Sequence, residues 1–162
     1  MHRRGNMKIG VVSLFANPIH SGHIQYIQES AKMVDHLFAI VNNDEQVKLK
    51  GSQEFMDENE RLEVVKNIKG VWSAKISQSK EINVASDLEA LGRHIEQGTH
   101  LLNIPAGDKS EDVRIYFFNS GDRVTSDPKE KEVCEKFHIL PVFLALPKIN
   151  SSSEILSKIV SG

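Results

Sequence analysis

The sequence predicts an α/β fold: a Rossmann-like, doubly wound parallel sheet of five strands with helices on both faces. Three observations predict it. Short apolar runs of strand length recur along the chain, each followed by a segment that ends in helical periodicity. The polar joints rich in Asn, Gly, Pro and Ser fall beyond the carboxyl ends of those runs, where ligands bind in such folds. No internal repeat or low-complexity tract breaks the alternation.

Residues 8–15, "KIGVVSLF", form the first strand, apolar enough to be covered on both faces. "ANPIHSG" is a loop by its Asn, Pro and Gly. From His23 onward Ile24, Ile27, Ala31 and Val34 line one face of a helix. "HLFAIVNN" (36–43) is a second buried strand, and "DEQVKLKGSQEFM" (44–56) is read as a lysine-bearing loop. Asp57 caps the helix "DENERLEVVKNI", with Glu60 placed to reciprocate three residues later. "GVWSAKI" (70–76) is the third strand and "DLEALGRHIEQ" (87–97) the third helix. Residues 98–112, "GTHLLNIPAGDKSED", show no period and are read as a surface insertion. "VRIYFF" (113–118) is a strand, "NSGDR" a polar turn, and "PKEKEVCEKF" a helix with Pro128 in its first turn. "ILPVFLAL" is the last strand. "SSSEILSKIV" closes the chain as a serine-capped helix with Ile155, Leu156, Ile159 and Val160 on its inner face.

A length of 162 residues allows one domain with a substantial core, expected over residues 7–162 after a short disordered lead at 1–6. A formal net charge of −2 provides no basic field, so general nucleic-acid binding is not expected. Cys134 is the single cysteine, which excludes an intrachain disulfide framework and suits a reducing compartment. It is expected to be a half-buried helix residue. The apolar run after the basic N-terminus is too short for a signal peptide or a membrane span. A cytoplasmic protein is expected.

The informative joint is "PIHSGH". Gly22 allows a close backbone approach, and His23 falls near a helix N-terminus, where unpaired N–H groups and a partial positive charge favour an anion. Imidazoles at His20 and His23 would add donors for the same oxygens, which is what phosphoryl or nucleotidyl transfer requires. No carboxylate or cysteine cluster accompanies the two histidines, so no protein-held metal is expected.

"PIHSGH" resembles the H-x-G-H signature of the nucleotidylyltransferase superfamily. "VNNDEQVKLKG" resembles the segment after the second strand of glycerol-3-phosphate cytidylyltransferase and heptose-phosphate nucleotidylyltransferases. "MDENERLEVVKNIKGV" resembles their E-x-R-L-x-x-V helix, "NSGDR" their G-D turn, and "INSSSEIL" the start of their last helix. The resemblance implies transfer of CMP from CTP to a small phosphorylated acceptor (a polyol, sugar or alcohol phosphate, or a phosphonate), with pyrophosphate leaving. It implies catalytic roles for His20, His23 and Lys50. Nucleotide contacts would come from Leu14, Phe15, Gly22, Gly121, Asp122, Arg123, Ser151, Ser152 and Ser153, and acceptor contacts from Asp44, Lys48 and Arg61. Mg²⁺ would travel on the triphosphate. Homodimers are frequent among such enzymes, though the sequence marks no dimer face.

Two departures keep the donor open. Leu146 and Ile149 stand where the glycerol-phosphate enzymes carry an arginine and a glycine before the last helix, leaving Lys148 or Arg123 to supply the cation. "FANPIHSGH" is similar to the F-D-P-x-H-x-G-H of nicotinate-mononucleotide adenylyltransferases, with Asn17 at the acidic position, and the serine triplet is similar to that of phosphopantetheine adenylyltransferase. An adenylyltransferase using ATP is thus the alternative, and an inactive nucleotide-binding module a further one. A fragment of an aminoacyl-tRNA synthetase, which shares a histidine–glycine–histidine signature, is disfavoured by the short chain and unclustered basic residues.

Overall fold

The computed structural model describes residues 7–97, 113–120 and 127–146. The lead, the 98–112 insertion, Gly121, Asp122 and Arg123, and the serine-capped last helix lie outside them. The described elements are β1 (Met7–Leu14), α1 (Ser21–Ala31), β2 (His36–Val41), α2 (Asp44–Leu49), α3 (Glu58–Lys66), β3 (Ser73–Ile76), α4 (Ala85–Gln97), β4 (Val113–Asn119), α5 (Pro128–Lys136) and β5 (Leu140–Phe143). The strands form one parallel sheet in the order β3-β2-β1-β4-β5.

The sheet is doubly wound, as its sequence predicts. Successive residues of a strand face opposite sides, so the apolar runs feed two cores. Ile9, Val11, Phe38, Ile40, Ile115 and Phe117 pack with Val84, Leu88, Leu91 and Ile95 of the α4 region and with Cys134 and Phe137 of the α5 region. Val12, Leu14, Leu37, Ala39, Val41 and Phe118 pack on the other face with Tyr26 and Ile27 of α1 and Val65 of α3. Burial of each large aliphatic or aromatic side chain contributes about 1.5–3 kcal/mol, so both faces are needed. Gly10 marks the tightest part of the second face: a Cβ there would lie 2.6 Å from the Phe118 ring and 2.9 Å from Val34.

Local differences from the sequence reading have physical reasons. The segment read as a loop at 44–56 begins with helix α2, whose N-cap Asn43 accepts from the Gln46 N–H while the Gln46 side chain accepts from the Asn43 N–H. With six residues, α2 is too short to show a helical period. Ile24, assigned to the inner face of α1, is exposed, whereas Tyr26, Ile27 and Ser30 are buried. Asp57 caps α3 by accepting from the Glu60 N–H. Cys134 is fully buried rather than half-buried, and burial, followed by the charges of Glu130 and Glu135, pushes its thiol up to about 12.

The topology creates one switch point. From β1 the chain moves outward to β2 and β3, then returns to place β4 on the other side of β1. The crevice beyond the carboxyl ends of β1 and β4 is where a ligand fits in an open α/β sheet. The Tyr26 hydroxyl donates to the Phe118 carbonyl, tying α1 to the end of β4 there. No helix among the described residues is long and apolar enough to cross a membrane.

Candidate functional site

The strand β1 delivers its last residues to this crevice, and the chain turns at once. Ala16 adopts a left-handed backbone conformation (φ 51°), and the Asn17–Pro18 peptide is cis. His20 then takes an extended conformation as the N-cap of α1. Its Nδ1 accepts the Gly22 N–H at 3.0 Å, and the His20 N–H is donated to Nδ1 of His23 at 3.1 Å. The two rings stack with centroids 3.9 Å apart.

This arrangement fixes the chemistry of both imidazoles. A ring nitrogen that accepts a hydrogen bond carries no proton, so in each neutral ring the proton sits on Nε2. Each histidine therefore presents Nε2–H as its donor. Burial, followed by the neighbouring His20 and Lys50, pushes His23 down to about 3. His23 is thus a neutral donor at physiological pH, at a helix end that already favours anions.

Lys50 completes the cluster. It is the C-cap of α2, and its ammonium rests 4.4 Å from the centroid of the Phe15 ring. Burial holds its pKa below the ordinary lysine value. Of the expected site residues described, the structure therefore brings together His20, Gly22, His23, Phe15 and Lys50. The Leu14 side chain is instead part of the core, and its carbonyl accepts from the Asn42 N–H.

The expected acceptor contacts divide differently. Arg61 is wholly buried. Its guanidinium donates to the carbonyls of Met56 (2.9 Å), Phe15 (2.8 Å) and Asn42 (2.5 Å) and to Oδ1 of Asp44 (2.8 Å). Expected to contact the acceptor, it is instead a hub joining the ends of β1 and β2 to the following segments. A direct acceptor contact by Arg61 is not what this geometry offers. Asp44 is partly exposed, and its hydrogen bond with the Glu54 carboxyl, followed by desolvation and the Asp44 charge, raises the pKa of Glu54. Lys48 is directed to solvent and pairs with Glu45 at 3.1 Å.

Sequence reasoning missed three site-building residues, all amides. Asn17, which is buried, accepts from the Phe55 and Met56 N–H groups at 2.7 and 3.0 Å and donates to the Gln53 carbonyl at 2.8 Å. Asn43 donates to the Ser77 and Ser79 carbonyls, and Gln46 to those of Glu81 and Asn83. The spacing N-x-x-Q at 43–46 is a capping-box signal and was available. Asn17 carries no local signal, because its partners lie 36 to 39 residues away. Among the described residues no group of three or more His, Cys, Asp or Glu side chains could hold a metal ion.

Comparison with known proteins identifies the family. The family model described as cytidylyltransferase-like matches residues 15–156. A protein named FAD synthase from Thermoplasma acidophilum is 34% identical over 79 residues, which cover 46% of this chain and 56% of that one. A second FAD synthase, from Ferroglobus placidus, is 33% identical over 105 residues, covering 60% and 68% respectively. The chain thus spans little more than half the length of the first of these curated relatives. Among solved structures, a lipopolysaccharide core biosynthesis protein from Thermoplasma volcanium superposes with a TM-score of 0.61 at 19% identity, over 90% of this chain and 100% of that one. That likeness concerns the fold. The chain belongs to the cytidylyltransferase-like family of nucleotidyltransferases.

Proposed function

We propose that this protein transfers an adenylyl group from ATP to a small phosphorylated acceptor, releasing pyrophosphate. The observation that carries nucleotidyl transfer is the stacked His20–His23 pair, with both Nδ1 atoms engaged by backbone N–H groups at the start of α1. A phosphate oxygen of the acceptor attacks the α-phosphorus in line, the bond to the bridging oxygen breaks, and pyrophosphate departs with its electron pair. Negative charge on the α-phosphoryl oxygens meets the two Nε2–H donors. They are preorganised, so no reorientation is needed as the charge develops. Lys50 supplies a compact positive charge to the same triphosphate. Mg²⁺ would enter with the nucleotide as part of the substrate, on the triphosphate oxygens.

ATP is favoured over CTP because the matched relatives are named FAD synthase, and FAD is FMN extended by an adenylyl group. Leu146, in place of the arginine that glycerol-phosphate cytidylyltransferases carry, points the same way. CMP transfer from CTP, expected from the resemblance of "VNNDEQVKLKG" and "INSSSEIL", is the second reading. On either reading Gly121, Asp122, Arg123, Ser151, Ser152 and Ser153 would contact the nucleotide, and Asp44 the acceptor, with Arg61 holding Asp44 in place. The calorimetric titration of the protein with MgATP and with MgCTP tests the donor. Pyrophosphate release is then measured with FMN, sugar phosphates, polyol phosphates and phosphonates. Binding and turnover with ATP support the proposal, turnover with CTP alone replaces it by the second reading, and binding without turnover on any acceptor supports an inactive module.

A further inference from the structure

We propose that Asn17 is a positioning residue for Lys50: its amide clasps the 53–56 segment onto the histidine loop and so fixes where the lysine ammonium meets the triphosphate. The inference rests on the proposed nucleotide site but concerns a residue to which no role has been assigned.

The segment after α2 starts at Lys50, turns through Gly51 in a left-handed conformation (φ 78°), and reaches Gln53 within three residues. Gly51 has open space around it, and the turn is closed by backbone bonds from the Gly51 and Ser52 N–H groups to the Lys48 and Val47 carbonyls. Beyond the turn, the hold on the 53–56 segment comes from Asn17. Its Nδ2 donates to the Gln53 carbonyl, and its Oδ1 accepts from both the Phe55 and Met56 N–H groups. Arg61 adds a second tie between the same two stretches, donating to the carbonyls of Phe15 and Met56. At its other end the Lys50 side chain lies against Phe15, two residues before Asn17. The segment that leaves Lys50 and the Lys50 ammonium are thus both referred to residues 15–17, the stretch that leads into His20. A rigid link between donors on two different loops is what transfer chemistry needs, because small displacements of a charge-stabilising group cost rate steeply.

The amide is specifically suited to this place. An aspartate at position 17 accepts from the same two N–H groups but has no donor for the Gln53 carbonyl when ionised. It would set two oxygens against each other and add a negative charge three residues from His20, beside a polyanionic substrate.

The test combines hydrogen exchange with a double-mutant cycle. Asn17→Ala should speed exchange of the Phe55 and Met56 amides at least tenfold while the amides of β1 and β2 keep their protection. Nucleotide affinity of Asn17→Ala and of Lys50→Ala should each fall on the order of tenfold, and the double variant should be little weaker than either alone, since both lose one interaction. Asn17→Asp should keep the slow Phe55 and Met56 exchange and still bind nucleotide less tightly. Additive losses in the double variant, or unchanged exchange in Asn17→Ala, would overturn the proposal. Failure of the wild-type protein to bind MgATP or MgCTP would instead count against the proposed function, and the exchange arm would still decide whether the clasp exists. If Asn17→Ala does not fold, Asn17→Ser, which keeps one acceptor in a smaller side chain, carries the same cycle.

Discussion

Helices α1 and α2 begin in the same way and serve different ends. Each starts with a reciprocal box in which the N-cap side chain accepts from a backbone N–H of the first turn and the residue three positions on accepts from the N-cap N–H. In α2 the box is Asn43 and Gln46, and the remaining amide donors are committed to four backbone carbonyls of residues 77–83. In α1 the box is His20 and His23, and the cap engages only Nδ1 of each ring. In each neutral ring the proton therefore sits on Nε2. The capping geometry is common to both, so the chemistry beyond the cap decides which joint is a scaffold and which a site. Position agrees: the imidazole box lies at the switch point beside β4, and the amide box lies beside β3.

The largest effect should come from copying one box into the other. The double variant His20→Asn/His23→Gln gives α1 the residues of α2, both good at these positions. The fold should survive, with a change in unfolding free energy of about 1 kcal/mol or less. Turnover should fall by about 100-fold or more, the scale seen when a donor to developing oxyanion charge is removed. Equal losses of turnover and stability would mean that the histidines matter only as caps. Far-ultraviolet circular dichroism with urea titration separates the two, alongside pyrophosphate release.

The opposite break, Gln46→Ala, should act on stability. Gln46 is wholly buried, and its loss orphans the Glu81 and Asn83 carbonyls and the Asn43 N–H. These partners are only partly buried, so each lost hydrogen bond removes about 0.5–1.5 kcal/mol, and the midpoint of urea unfolding should drop accordingly.

How far this contrast could be read from sequence depends on the range of the interactions involved. The sheet, its two faces and the His20–Gly22–His23 joint were legible because they depend on local period and on spacing of a few residues. The α2 box was equally local, yet the lysines and glycine around it suggested a loop. Arg61 and Asn17 were not legible in the same way. A helix position with charged neighbours normally means solvent, but Arg61 is enclosed because three chain segments converge on it and its donors satisfy their carbonyls. Asn17 was noticed as a departure from an acidic pattern, while its function as a clasp depends on contacts formed only after β1 and the 53–56 segment meet.

A smaller effect sharpens the view of His23 as a neutral donor. Its pKa is about 3 in the folded protein against 6.5 ordinarily. Above pH 6.5 it is neutral in folded and unfolded chains alike, and its contribution to stability does not change. As pH falls from 6.5 toward 3 the unfolded chain takes up a proton that the folded one refuses, so stability declines with a slope approaching about 1.4 kcal/mol per pH unit. His23→Gln should remove that component, and the difference between the two stability–pH curves should open only below pH 6.5. Parallel curves would mean that His23 titrates normally and is not a fixed neutral donor.

The smallest effect belongs to Lys48, two residues from Lys50. Lys48 and Glu45 form an i,i+3 pair with side chains 70% and 75% exposed, and its other charged neighbours, Glu54 and Asp44, are acidic. Such pairs contribute little, because water screens the charges and both long side chains lose freedom in forming them. Lys48→Ala should therefore leave stability within about 0.5 kcal/mol. Its nucleotide affinity should stay within about twofold, whereas Lys50→Ala, which removes the ammonium over Phe15, should not. A large loss of acceptor affinity in Lys48→Ala would place the acceptor across the outer face of α2, and Asp44 and Lys48 would then work as a pair. An unchanged value confines the cationic part of the site to Lys50, on the inner side, where the histidines already are.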